Sequence, residues 1–458
     1  MNKKIFFIFS LLIIIGGFLF IKLINFDFRV TDANIYFYTG KELLEGKLLY
    51  RDIFFTNFPL IPYVASIYFW ISQGNVLFYY LTSSFEVCLT TVLISIIVLK
   101  QSKSYLLALC IPLLYLFSFM ILATSQFQTG VFLTCLFIVI SYWFFKKENY
   151  FLTGVFTALC LLAKAYALPV LLSYFVYLLI KKRKALLPFI TGGALTAGIV
   201  LSPTLLFAYK DFLNDVFSYS LTRSQGVDKL SILWVLLLHD FIFIIILFTN
   251  MVIIRKNLLF GLFSLFGLLF FILYQDVYYL YLNILLPFLC LSLVVLIPYL
   301  QKKLTFHSFM IPTIVIILTS YNLYSYFSQN FHQLQRLPQT MEIVQQINAS
   351  NPSSLYGINA ATPLFAYLTN KLLLNNIVDT NDNLYIKGVL NATLLTKDSI
   401  KNHGMIITTG AYYPEAKIKE DILTEVVDRK LMDKHCKLVR RYPFYSEGIT
   451  NSLNLFQC

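Results

Sequence analysis

Charge is scarce in this chain. Only 13% of its 458 residues are Asp, Glu, Lys or Arg, against 58% apolar residues and a mean hydropathy of +0.72. That balance excludes an ordinary soluble enzyme, which carries about twice that share of charge. Patterned cysteine is missing as well: no spacing among the seven cysteines resembles a zinc or iron–sulfur site. Cys88, Cys110, Cys135, Cys160 and Cys290 fall in apolar runs and read as small buried hydrophobes. Cys436 and Cys458 lie near the C-terminus and can pair if that segment is extracytoplasmic. There is no basic patch with interleaved aromatics, so the net charge of +13 does not point to nucleic acid. No small-x-small cleavage site follows the apolar run at 5–24, which reads as a retained first helix. Long internal repeats are also lacking.

What charge there is has a clear distribution. Short basic marks punctuate the apolar runs: Lys3-Lys4, Lys100 and Lys103, Lys146-Lys147, Lys181-Lys182-Arg183-Lys184, Arg255-Lys256 and Lys302-Lys303. The hydrophilic stretches between them hold Asp27, Asp32, Glu42, Glu45, Asp52, Asp211, Asp215, Asp228 and Asp276. Cytoplasmic loops are enriched in Lys and Arg, so the basic marks are expected inside and the acidic loops outside. Each interval between basic marks then crosses the membrane an even number of times. Residues 104–145, 148–180, 185–254 and 257–301 give four pairs, the second made of two short helices meeting near Ala163-Lys164-Ala165. Residues 59–72 are too few to cross and read as an interfacial helix.

The expected fold is an all-α polytopic membrane protein of about 11 transmembrane helices, N-terminus in and C-terminus out, followed by a small α/β extracytoplasmic domain. Residues 1–330 form the transmembrane domain, with its first outer loop at 25–75, and 331–458 the soluble domain. The composition shift after Asn330 sets that boundary. The expected location is the plasma (inner) membrane, among membrane lipids.

The first outer loop is the richest segment. Thr31 and Asp32 sit where an N-cap belongs, ahead of a helical run to about Glu45, with Gly46 as its stop. The helix dipole favours an ionised carboxylate there, suited to a general base or a metal ligand, or simply to capping. Then come Leu49-Tyr50-Arg51-Asp52, Asn57-Phe58 and Pro59-Leu60.

The pattern Asp32-Ala33-x-x-Tyr36, then Gly46, Leu49-Tyr50-Arg51-Asp52 and Pro59-Leu60 resembles the first outer loop of GT-C glycosyltransferases. It resembles especially the bacterial relatives of the protein O-mannosyltransferases and of the lipid A aminoarabinose transferase. The resemblance implies an enzyme that takes a sugar from a polyprenyl-phosphate donor, with inversion, using an acid of this loop, a position to which Asp32 aligns. The sequence departs from that pattern in having Asp32-Ala33 where members often show Asp-Glu. A divalent cation would then rest on Asp32 and Asp52. The Pro-Pro that usually opens the second loop helix is reduced to Phe58-Pro59.

Such chemistry needs a base for the acceptor hydroxyl, which a lipid, glycan or protein could supply, and fixed cations for the leaving phosphate. Lys164, ionisable within an apolar run, is the first candidate for the phosphate, unless it snorkels to the interface. Arg51 is the second, unless it pairs with its neighbours. Asp52 is a second acid or a turn cap. Asn57, Gln126 and Gln128 can bond sugar hydroxyls or merely be solvated. Asp276 and Tyr279 mark the mouth of a later pair of helices, where an aromatic belt explains the tyrosines equally well. Glu86 and Asp240 are acids within spans.

A lipid-glycan flippase or transporter is the first rival, but the polar residues cluster in loops rather than at midplane. A surface-polysaccharide polymerase or ligase is the second.

Overall fold

The computed structural model describes residues 3–24, 26–218, 228–275, 277–303, 310–411, 425–446 and 449–458. Its compact parts are two. One comprises 1–25, 81–201 and 225–329; the other comprises 26–80, 202–224 and 330–458.

The first unit is helical. Helix α1 runs Lys3–Ile24, with its apolar residues mostly exposed, as a lipid-facing span requires. After α2 (Ala33–Leu44) and α3 (Leu60–Ser72) come α4 (Val76–Ser102), α5 (Tyr105–Leu116), α6 (Phe119–Thr124), α7 (Val131–Lys146), α8 (Tyr150–Ala163), α9 (Leu168–Lys181) and α10 (Leu186–Phe207). Helices α8 and α9 are the expected short pair, broken at Lys164, whose backbone is extended. Helices at Leu258–Leu273, Leu286–Lys303 and Met310–Ser328 follow.

One break was not legible. The helices Lys229–His239 and Phe241–Val252 meet at Asp240 with a bend of 101°, and neither Pro nor Gly is present there. The kink follows from a long-range bond. Asp240 accepts from the N–H groups of Phe119 and Met120, at 3.0 and 2.9 Å, at the start of α6. Asn322 donates to it at 3.3 Å. Among the described residues five helices are long and apolar enough to cross, six with the bent pair, and six more are shorter. Length alone does not fix eleven spans.

The second unit joins residues 26–80 and 202–224 to the C-terminal residues. Its sheet has the order β2 (Leu372–Leu373), β1 (Ser354–Gly357), β3 (Met405–Ala411), β5 (Ile449–Gln457), β4 (Lys437–Ser446). β1 is parallel to β2 and to β3, and β5 is antiparallel to β3 and β4. This is the α/β character expected of the tail, and the disulfide Cys436–Cys458 ties the start of β4 to the end of β5. A short helix at Arg429–His435 precedes β4. The boundary read at residue 330 divides the chain by composition, while in space residues 26–80 belong with the tail.

Helix α2 is buried on nearly every side. Phe37 packs among Phe69, Tyr79 and Tyr367. Helix α3 buries Leu60, Ile61 and Ala65 and exposes Ile67, Trp70 and Ile71, the two-sided character of an interfacial helix.

Candidate active site

Asp32 stands at the head of α2, yet it does not cap it. Its backbone is helical, φ −60° and ψ −17°, and its side chain makes no capping bond. Of the first-turn N–H groups, Ala33 donates to the Thr31 hydroxyl at 3.4 Å, Asn34 to the Thr31 carbonyl at 3.0 Å and Ile35 to the Asp32 carbonyl at 3.0 Å. From Arg29 to Gly40 every residue is buried except Asp32, which is exposed.

The turn from Gly46 to Asn57 has its own frame. Gly46, at φ +89°, stops α2 where the sequence placed the stop. Leu48 N–H donates to the Asp52 carboxylate at 2.8 Å, Asp52 N–H donates to the Leu48 carbonyl at 2.9 Å, and Tyr50 N–H to that of Ile53 at 3.0 Å. Tyr50 sits at φ +70°, a region uncommon for a bulky residue, and its hydroxyl donates to the Asn57 carbonyl at 2.7 Å. Arg51 donates to both Asp52 oxygens at 2.9 Å. Its guanidinium, with the Leu48 N–H, holds the Asp52 carboxyl below the usual carboxylate range.

Arg51 and Asp52 are thus brought together as a turn brace. Both Asp52 oxygens accept these bonds. Among the described residues no group of three or more His, Cys, Asp or Glu could hold a metal ion.

Beside the turn is a cavity of about 300 Å³ lined by Leu43, Leu48 and Phe207 and by Lys47, Tyr63 and Thr204. Lys47 is paired with buried Glu42, which leaves that wall neutral. Asp215, from the segment 202–224, accepts from Phe55 N–H at 3.4 Å. Burial pushes its carboxyl up to about 7, with Asp211 nearby adding to the rise. The neutral form is the one the fold prefers, so stability falls as pH rises from about 4 to 7, where the unfolded chain releases a proton the folded one keeps. Asp215→Asn should therefore gain about 2–4 °C in Tm at pH 8 and nothing near pH 4, as thermal unfolding across pH will read.

In the helical unit, Lys164 is buried, so it does not snorkel outward. Next to it, Tyr166 stacks on Tyr281 at 3.8 Å and meets Tyr274 at 5.4 Å. Tyr279 opens the short helix Tyr279–Leu285 and is half-buried; Asp276 lies outside the described residues. Gln126 and Gln128 are buried rather than solvated. Gln126 donates to the Lys22 carbonyl at 2.8 Å, and Gln128 to Thr82 at 2.7 Å and Glu86 at 2.9 Å. Lys22, fully buried, donates to the Leu122 carbonyl beside the rings of Phe18 and Tyr326. These bonds give Gln126 and Gln128 structural work.

Sequence reasoning did not single out Asn34 or Tyr80. Tyr80 donates to the Asn34 side chain, and no local pattern could reveal a bond across that interval.

No protein-family model matches the sequence. No curated protein matches it either. A solved structure does resemble it: ArnT from Cupriavidus metallidurans, bound to undecaprenyl phosphate, superposes with a TM-score of 0.60 at 12% identity, covering 97% of each chain. ArnT is a lipid A aminoarabinose transferase of the GT-C family. The chain therefore has the fold of the GT-C membrane glycosyltransferases.

Proposed function

We propose that this chain is an integral-membrane glycosyltransferase that moves a sugar from a polyprenyl-phosphate-linked donor to an acceptor hydroxyl. Asp32 takes the proton from that hydroxyl as it attacks the anomeric carbon. The C–O bond to the lipid phosphate breaks on the opposite face, so configuration inverts and the lipid phosphate leaves with the negative charge. Lys164 is assigned to that phosphate, and Arg51 with Asp52 braces the loop that carries the base.

One observation carries the reading. In a GT-C fold, whose solved example holds undecaprenyl phosphate, the acid at the head of α2 is the single exposed residue of a twelve-residue buried run. The Cys436–Cys458 disulfide supports an oxidising, extracytoplasmic setting for the tail.

The bend at Asp240 is what a transporter reading would use, since broken helices with buried acids line transport sites. Here the Asp240 oxygens accept two N–H groups and the Asn322 amide, which is the work of a cap.

Mass spectrometry of polyprenyl-linked sugars, in cells with and without the gene, tests the proposal. Loss of the protein should leave one lipid-linked sugar accumulated and one surface glycan or lipid lacking it. Unchanged pools on both sides would reject transfer, and the accumulated lipid would name the sugar.

A further inference from the structure

The tail sheet has its switch of direction at β1, which runs parallel to neighbours on both sides. In open α/β sheets the crevice beyond the carboxyl ends of the strands at such a point is where a ligand is received. Here the residues leaving β1 receive another part of the same chain. The Ala360 carbonyl accepts from Thr31 N–H at 2.9 Å and from the Asn34 side-chain amide at 2.6 Å, on either side of Asp32. Val30 N–H donates to the Gln335 carbonyl at 2.9 Å and Leu337 N–H to that of Phe28 at 2.8 Å. The Arg29 guanidinium, buried, donates to the carbonyls of Leu334 and His332. Arg336 pairs with Asp27 at 3.0 Å.

Asn34 is the hub. Its amide nitrogen donates to Ala360 and, at 2.9 Å, to the Arg29 carbonyl. Its amide oxygen accepts from the Tyr80 hydroxyl. The side chain is 1% exposed, so an Asn34 amide that loses these bonds has little water to replace them. One amide thus ties the residue three before Asp32, the helix that starts after it, α4 through Tyr80, and the tail.

We propose that the C-terminal domain positions the proposed base, with Asn34 as the positioning residue that fixes the direction of the Asp32 carboxylate. This rests on the assignment of Asp32 as base. The tail is then part of the catalytic machinery rather than an appended domain, and Asn34 touches neither donor nor acceptor.

The test is a kinetic cycle on the full-length purified protein, with rates measured against donor concentration. Asn34→Ala should lower kcat about 10- to 100-fold with donor KM within about threefold, the signature of a misdirected group. In an Asp32→Glu background, whose carboxylate is already displaced, the same substitution should cost less than about threefold, because the two changes act through one group. Equal losses in both backgrounds would overturn the proposal and leave Asn34 a fold-supporting residue. So would an unchanged kcat. Should Asn34→Ala fail to fold, Tyr80→Phe removes one bond to the same amide; a kcat loss that shrinks in the Asp32→Glu background supports the proposal, and no loss overturns it. Full activity in Asp32→Asn would sink the base assignment itself, an outcome separate from either of these.

Discussion

Replacing Asp32 with asparagine is expected to lower sugar transfer by about 10²- to 10⁴-fold, the usual worth of a positioned general base. The substitution keeps the size of the side chain and an oxygen acceptor, and removes only the charge and the basicity. The fold should not notice. Asp32 is exposed and makes no capping bond to α2, so stability should stay within about 0.5 kcal/mol, as for most surface changes. That pairing of a large kinetic loss with an unchanged Tm separates a base from a structural acid. Initial rates on purified protein, beside a thermal melt and a check of membrane insertion, measure both. Near-normal rates would end the assignment.

The second large effect belongs to Gly357, at the end of β1. Its φ is +143°, a conformation L side chains rarely adopt, and a Cβ there would lie 1.9 Å from the Ile407 carbonyl oxygen on β3. That oxygen also accepts from Ile358 N–H at 3.0 Å, and the Gly357 carbonyl accepts the Thr380 hydroxyl. Gly357→Ala must therefore pry β1 from β3 at the point where the chain turns toward Ala360. The cost should be about 3 kcal/mol or more, combining backbone strain with a broken sheet contact. Because Ala360 holds both Thr31 and Asn34, activity should fall with it although Asp32 itself is untouched. A melt of the variant together with its transfer rate would show the two losses together. Wild-type values in both would mean that β1 and β3 can part freely.

Much of the fold was legible because its signals are local. Gly46 and the residues around Asp32 bound α2, a short helix α3 was expected over 59–72, and the break at Lys164 follows from a stretch too long for one helix. The mixed secondary structure of the tail was legible too, whereas sequence left open whether Cys436 and Cys458 pair, which they do. What escaped depends on partners far along the chain. The bend at Asp240 is set by N–H groups some 120 residues away. Gln126 and Gln128 look like a solvated turn until Lys22, Thr82 and Glu86 are seen to hold them. Asp52 was read as a catalytic or metal-binding candidate, since sequence does not show that its carboxylate is bound by its neighbour Arg51 and by Leu48 N–H. Nor does the sequence show that the Ala33 and Asn34 N–H groups go to Thr31 rather than to the Asp32 carboxylate.

The join between residues 26–80 and the end of the chain sets an order for biosynthesis. Arg29 meets its acceptor 305 positions later, so at synthesis rates of about 5–20 residues per second the Asp32 turn waits roughly 15–60 s for the strand and loop that hold it. During that interval the membrane helices can insert while the turn has no scaffold. Assembly of the turn that carries Asp32 is thus postponed until after the membrane helices have been made, and a chain terminated before residue 330 would carry that turn without its scaffold.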